Sequence, residues 1–223
     1  TGGGNIYVKG DLKGTVDAST GGGDISAGNI FGKTELSTAG GNISVGDVNG
    51  DVELSTAGGD MKAGTINGKA ELSTAGGNIT VGSINNSAEL STAGGNINVK
   101  NVSGSAELST AGGNIILESA NGKVEASTAA GNINLKNIEG SIEASTAAGN
   151  IYAELHPEGN STSELNSAVG NVTLKIPGNA KVTIIATLSI NAWGNSDDAL
   201  DQIKSDFAET EVDSRQTNLT RFP

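Results

Sequence analysis

The chain has 223 residues, of which 34 are Gly; its apolar fraction of 35% is mostly Ile, Val, Leu and Ala, with only 3% aromatic. That composition cannot fill a broad globular core, and it lacks the Gly-X-Y register of collagen; it suits a narrow core built in layers. Thirteen Lys and Arg against 25 Asp and Glu leave a net charge of −12, which argues against nucleic acid and anionic lipid as partners, since both need clustered positive charge.

No stretch approaches the roughly 20 apolar residues of a membrane-spanning helix. The absence of Cys excludes disulfides and thiolate metal sites. Thr1 is not a natural start, so an upstream segment, such as an export signal, is expected to have been removed.

In chain order, Thr1-Gly2-Gly3-Gly4 opens directly on a repeat. The tract Glu-Leu-Ser-Thr-Ala-Gly-Gly-Asn/Asp then recurs five times, from Glu35, Glu53, Glu71, Glu89 and Glu107, each start 18 residues after the last. Relaxed copies, Glu-Ala-Ser-Thr-Ala-Ala-Gly-Asn, follow from Glu125 and Glu143. Self-similarity at a fixed period near 20 residues is the signature of stacked coils.

Counted from its Ser, each coil carries Ile or Met at the seventh place (Ile25, Ile43, Met61, Ile79, Ile97, Ile115, Ile133, Ile151) and Val, Leu or Ala at the ninth. Two apolar places separated by one mostly polar place mark a strand buried on one face. A second alternation puts Val52, Ala70, Ala88, Ala106, Val124 and Ile142 on the same face as Leu36, Leu54, Leu72, Leu90 and Leu108. The intervening Glu must then face outward. The twelfth place, Ile30 to Ile138, supplies a lone inward anchor.

The corners are chemically distinct. The fourteenth place is Gly at Gly32, Gly50, Gly68, Gly104, Gly122 and Gly140, with Asn86 as its exception, which predicts a left-handed backbone there. Asn42, Asn78, Asn96, Asn114, Asn132, Asn150 and Asn171, with Asp24 and Asp60, predict a hydrogen-bonded ladder of stacked amides. Thr20 and its successors to Thr146 occupy the second place; alternation turns them inward, where a hydroxyl finds backbone. An ice-binding Thr array is the competing reading, and it lacks a second outward rank.

Chain direction is the same in every coil, so equivalent strands pair in parallel. Two Gly corners per coil exclude helical repeats. An apolar residue every sixth position, which a left-handed hexapeptide coil needs, is absent. The expected fold is an all-β parallel β-helix (β-solenoid), right-handed favoured, with about ten coils spanning 1–176. Its length is on the order of 45–50 Å at the parallel strand spacing. The last step, from Thr146 to Ser167, is longer, and the extra residues are expected in a bulged loop at His156-Pro157-Glu158-Gly159. Beyond Ile176 the period is lost. Residues 177–223 are expected to form a β-rich cap of the same domain, with a β run at 182–190, a turn at 191–196 and a polar, helix-compatible stretch at 198–207.

The tract Ser-Thr-Ala-Gly-Gly-Asn-Ile, preceded by Gly-x-Val/Ala-Glu-Leu/Ala, resembles a bacterial adhesin-type β-repeat family, a domain of unknown function related to auto-transporter adhesin head domains. The resemblance covers roughly Thr1 to Ile176, and Lys175-Ile176-Pro177-Gly178-Asn179-Ala180 looks like the segment that follows the repeats in that family. It implies a β-solenoid exported to the periplasm or cell surface, often behind a signal or lipoprotein sequence, and no catalytic residues. One departure is that this chain ends at Arg221-Phe222-Pro223, where relatives continue into another Gly-rich strand, so a truncated C-terminal end is expected.

The candidate sites are few. The outward Glu column, relieved in part by Lys33, Lys69 and Lys123, is either a strip for cations or cationic ligands, or a solvated face that deters aggregation. Gly21-Gly22-Gly23-Asp24 has the look of a calcium β-roll loop without its Asp pattern. Phosphate cradling lacks the helix it requires. His156, the single histidine, lies outside any triad motif, and Trp193 and Tyr152 are structural anchors before they are sugar platforms. No catalytic, cofactor-binding or metal residue is expected, and the chain is not expected to be an enzyme. The expected role is a non-enzymatic exported structural or adhesin-like scaffold or binding module, whose partner is an unidentified protein or glycan at the cell surface. The alternatives are a self-assembling filament of bactofilin type, joined end to end, and more remotely a glycan-active β-helix enzyme.

Overall fold

The computed structural model describes residues 1–157, 161–178 and 180. The chain divides into two compact units, Thr1–Pro177 and Gly178–Pro223. The sequence-predicted cap of 177–223 lies outside the described residues apart from 177, 178 and 180, and so do the β run, turn and polar stretch expected within it.

The first unit is an all-β parallel solenoid. A ten-stranded sheet runs from Ile6–Val8 to Val172–Lys175, and a nine-stranded sheet runs from Val16–Thr20 to Glu164–Val169. Each coil contributes one strand to each sheet, and equivalent residues pair in parallel, as in Leu72↔Leu90 and Ile79↔Ile97. Among the described residues no helix occurs. The alternation read from the sequence sets this register, because slipping by one residue would turn every Leu and Ile to water.

The core is one continuous column. Ile25, Ile43, Met61, Ile79, Ile97, Ile115, Ile133 and Ile151 face Leu36, Leu54, Leu72, Leu90 and Leu108 across it, all essentially buried. The twelfth-place anchors from Ile30 to Ile138 are also buried. Thr34 takes a core place that other coils give to Val, Ala or Ile, and its hydroxyl donates to the Gly32 carbonyl at 3.3 Å.

The cross-section changes along the stack. In the first coils the anchors Ile30, Val48, Ile66 and Ile84 are linked by isolated bridges, and Leu12–Lys13 pairs with Ile30–Phe31 as a separate two-stranded sheet. From Ile79–Ile84 onward the seventh-to-twelfth places form one strand, reaching eight residues at Ile133–Gly140. Gly28, Gly46 and Gly64 stand where later coils carry Lys100, Glu118, Lys136 and Glu154. The corner already straightens at Gly82, inside the strand Ile79–Ile84, and the non-Gly residues of the later coils keep the extended backbone.

Two corner expectations are corrected. Left-handed backbone was expected at the whole fourteenth-place column, but φ is positive only at Gly32 and Gly140 among its members, and Asn86 is not left-handed. At Gly50 and Gly68 glycine is required by space: a Cβ on either would stand 2.5 Å from the carbonyl of the preceding coil's glycine. The loop expected at His156-Pro157 is instead the end of the strand Ile151–Pro157, paired as Glu139↔His156 and Gly140↔Pro157. Leu155 carries the inward alternation through that point, pairing with Ile138. The register shift falls in the neighbouring strand, where Asn137 adopts φ 47° and donates from Nδ2 to the Glu118 carbonyl. Glu158 and Gly159 lie outside the described residues.

Candidate functional site

Most of the repeated polar residues are consumed by the stack. Thr92 is buried; its hydroxyl donates to the Gly77 carbonyl at 2.8 Å and accepts the Gly95 amide at 3.2 Å. The same pair of bonds recurs at Thr38, Thr56, Thr74 and Thr110. This is the inward Thr that alternation predicted, and it removes the hydroxyl from any outward array.

The amide ladder also forms. Asn96 donates both its backbone amide and Nδ2 to Asn78 Oδ1, at 2.9 and 3.0 Å, and Asn114 does the same to Asn96. Asp24 and Asp60 serve as acceptors within it. A second short ladder, not anticipated from the sequence, joins Asn29 Oδ1 to the Asp47 amide and Asp47 Oδ1 to the Thr65 amide.

What remains for solvent is two strand faces. On the outer face of the nine-stranded sheet, carboxylates form a single column: Asp17, Glu35, Glu53, Glu71, Glu89, Glu107, Glu125, Glu143 and Glu164, each paired in register with the next. Sequence reading found seven of these. Asp17 and Glu164 extend it, and Glu164 was findable because it lies 21 residues after Glu143, the same long step that separates Thr146 from Ser167. Opposed like charges destabilise a sheet, so compensation is informative.

Two lysines supply it. Lys69 Nζ lies 3.7 Å from both Glu71 and Glu89, and Lys123 Nζ lies 2.6 Å from Glu125 and 3.2 Å from Glu143. Each ammonium therefore bridges the carboxylates of two successive coils. Hydrogen bonds that the ammonium donates to Glu125 and then to Glu143 raise the Lys123 pKa above its ordinary value. These groups are about half exposed, so each pair contributes little to stability. Lys33, the third lysine expected to help, makes no ion pair among the described residues.

Between the two bridging lysines the same column reads Ser87 and Ser105. There Lys69, Ser87, Glu89, Ser105, Glu107 and Lys123 line a cleft of about 200 Å³.

The outer face of the ten-stranded sheet differs. Its later coils alternate Lys100, Glu118, Lys136, Glu154 and Lys175. Tyr152 donates its hydroxyl to Glu154 Oε1 at 2.5 Å, and Lys175 Nζ reaches the same oxygen at 3.1 Å. Those two bonds, tyrosine first, hold the Glu154 carboxyl below its usual range, while the same contacts raise Tyr152 and Lys175. His156 is exposed at the end of its strand. Among the described residues no three His, Asp or Glu side chains converge to hold a metal ion, and no helix is long and apolar enough to cross a membrane.

A profile described as Toastrack DUF4097 matches residues 3–192. The chain belongs to the Toastrack DUF4097 family. No curated protein and no solved structure matches it. The family description is that of a repeat β-domain of unknown function, and it carries no adhesin relationship of the kind the Ser-Thr-Ala-Gly-Gly-Asn-Ile tract led us to expect. In this Toastrack domain, function has to be sought on the two strand faces, since Thr, Asn and Gly columns are committed to holding coil on coil.

Proposed function

We propose that this Toastrack domain is a non-enzymatic structural module, exported to the periplasm or cell surface, which acts as a stiff scaffold with flat binding faces. The observation that carries the reading is the register itself: from coil to coil each Thr bonds a Gly carbonyl of the preceding coil, each Asn bonds its own equivalent, and each corner Gly packs against its own equivalent. A stack so constrained resists bending, and it presents long strand faces lined by carboxylates and lysines. Its partner is a protein or glycan at that surface.

Protease treatment of intact cells expressing the native gene with an epitope tag tests the location. The expected result is loss of the tagged domain without lysis in a surface-exposed case, or after opening of the outer envelope in a periplasmic one. Protection until the cytoplasm is opened would overturn the proposal. Long filaments of purified protein under the electron microscope would favour the self-assembling reading over the scaffold, and turnover of polysaccharide abolished by one acidic substitution would favour an enzyme.

A further inference from the structure

The outer faces of the two sheets differ in charge. The nine-stranded face carries nine carboxylates, from Asp17 to Glu164, against Lys33, Lys69 and Lys123. Two copies meeting there would repel. On the ten-stranded sheet, the strands from Ile97–Val102 to Val172–Lys175 carry three Lys and three Glu, so this region is balanced in a chain of net charge −12. Its charges are also ordered. At the tenth place the sign alternates coil by coil through Lys100, Glu118, Lys136, Glu154 and Lys175. Glu154 is engaged by Tyr152 and Lys175. Lys100, Glu118 and Lys136 are exposed, and their side chains make no hydrogen bond or ion pair among the described residues. Beside them Ile116 is 38% exposed, at an outward place that other coils give to Ser, Thr, Asn, Lys or Tyr.

We infer that this face is a weak homodimer interface, on which two copies of the solenoid lie face to face and antiparallel. A two-fold axis perpendicular to the sheet, between the coils of Glu118 and Lys136, sets Glu118 against Lys136 of the partner subunit. The same axis sets Lys100 against Glu154 of the partner subunit, and symmetry makes each pair twice. Sliding one copy by a single coil puts Lys on Lys and Glu on Glu. A parallel pair, each coil on its own equivalent, fails for the same reason. The alternation therefore selects one register and one orientation. Ile116 and the Tyr152 ring add apolar area that the contact removes from water. The four paired coils span about 19 Å along the stack and six residues about 20 Å across it, so the contact buries roughly 800 Å² in total, the size of a weak, transient association. This goes beyond the scaffold reading, since it makes a second copy the partner and leaves both carboxylate faces open.

The test is sedimentation velocity of the full chain at low salt, over a concentration series reaching the submillimolar range. A monomer–dimer equilibrium is expected, and added sodium chloride should weaken it. Glu118→Lys and Lys136→Glu each set like charges opposite one another twice, and each is expected to raise the dissociation constant about tenfold or more. Mixed in equal amounts, the two variants form a heterodimer whose central pairs are again opposite in sign. Recovery to within about threefold of the parent is expected, the scale of one exposed ion pair. Glu107→Lys makes the same change of net charge on the nine-stranded face and is expected to leave dimerisation undiminished.

A monomer throughout the series would overturn the inference. Equal weakening by Glu107→Lys and Glu118→Lys would also sink it, because the contact would then not lie on the ten-stranded face. Failure of the mixture to recover would refute the antiparallel register, and growth past the dimer would replace it with end-to-end assembly. None of these outcomes bears on the protease result, which reads location alone. Circular dichroism melts of each variant establish that the fold is retained. If a charge reversal unfolds the chain, Glu118→Gln and Lys136→Gln decide in its place: each is expected to weaken the dimer about threefold, and no weakening would count against the interface.

Discussion

Gly94 and Gly95 are neighbours in sequence and opposites in tolerance. A Cβ on Gly95 would stand 2.0 Å from the Gly77 carbonyl oxygen and 2.4 Å from its carbon, about 1.0 Å inside the 3.0 Å limit that real Cβ atoms respect. A Cβ on Gly94 would meet Gly76 oxygen at 3.2 Å, a contact relieved by a shift of tenths of an ångström. Gly95→Ala must therefore lift one coil off the next. Overpacking of this kind costs about 1–3 kcal/mol. The lifted corner also weakens the two bonds through Thr92, at about 1 kcal/mol each. The total is about 3–5 kcal/mol, which lowers Tm by about 10 °C in a chain of this length. Gly94→Ala is expected to fall within about 1 kcal/mol of the parent, helped by the lower entropy of the unfolded chain. The protein has made the second experiment itself, with Ala130 and Ala148 at that place. Thermal melts followed by circular dichroism decide the question, and equal stability of the two variants would refute the close-approach argument.

Three further outcomes are expected. Thr92→Val removes a buried hydroxyl that both donates and accepts, stranding the Gly77 carbonyl and the Gly95 amide; urea unfolding should show a loss of about 1–3 kcal/mol, largely restored by Thr92→Ser. Asn96→Ala breaks the ladder between Asn78 and Asn114 and should cost about 1 kcal/mol by the same measurement, whereas Asn96→Asp, which keeps the Oδ1 acceptor as Asp60 does, should cost less. Glu154 has a lowered pKa in the folded state, so its contribution is present above the ordinary carboxylate pKa and lost as pH falls through the lowered value. In a side-chain carboxyl NMR titration, Tyr152→Phe should move the Glu154 midpoint upward, and an unmoved midpoint would contradict the hydrogen-bond cause.

The period, the two strands per coil, the inward Thr and the amide column were all legible in the sequence, because each rests on one residue type recurring at one spacing. The third, short strand row was not. It depends on whether a corner opens, as at Gly28, Gly46 and Gly64, or straightens, as at Gly82, Lys100, Glu118 and Lys136, and the residue at that place does not decide it alone. The glycine corners misled for a different reason. Gly in a sequence signals either positive φ or a missing Cβ, and at Gly50, Gly68 and Gly122 only the neighbouring coil, invisible in a linear reading, shows that the second applies. His156 was placed in a loop by its proximity to Pro157, yet the burial of Leu155 beside it keeps the strand in register. At the candidate site, the Glu column and its lysines were visible in the letters. That each ammonium joins two coils depends on lateral distances the letters do not contain.

Nearly every strand pairing in this molecule links a residue to one 18 positions away. The entropy of closing each successive loop is therefore nearly constant, and even the step of 21 residues before Glu164 adds only about 0.1 kcal/mol. Among the described residues no strand pairing has to wait for a distant part of the polypeptide to arrive. A chain emerging slowly, whether from a ribosome or through a narrow translocation channel, can thus mature like a zipper, each newly delivered segment locking onto the finished edge before the next appears.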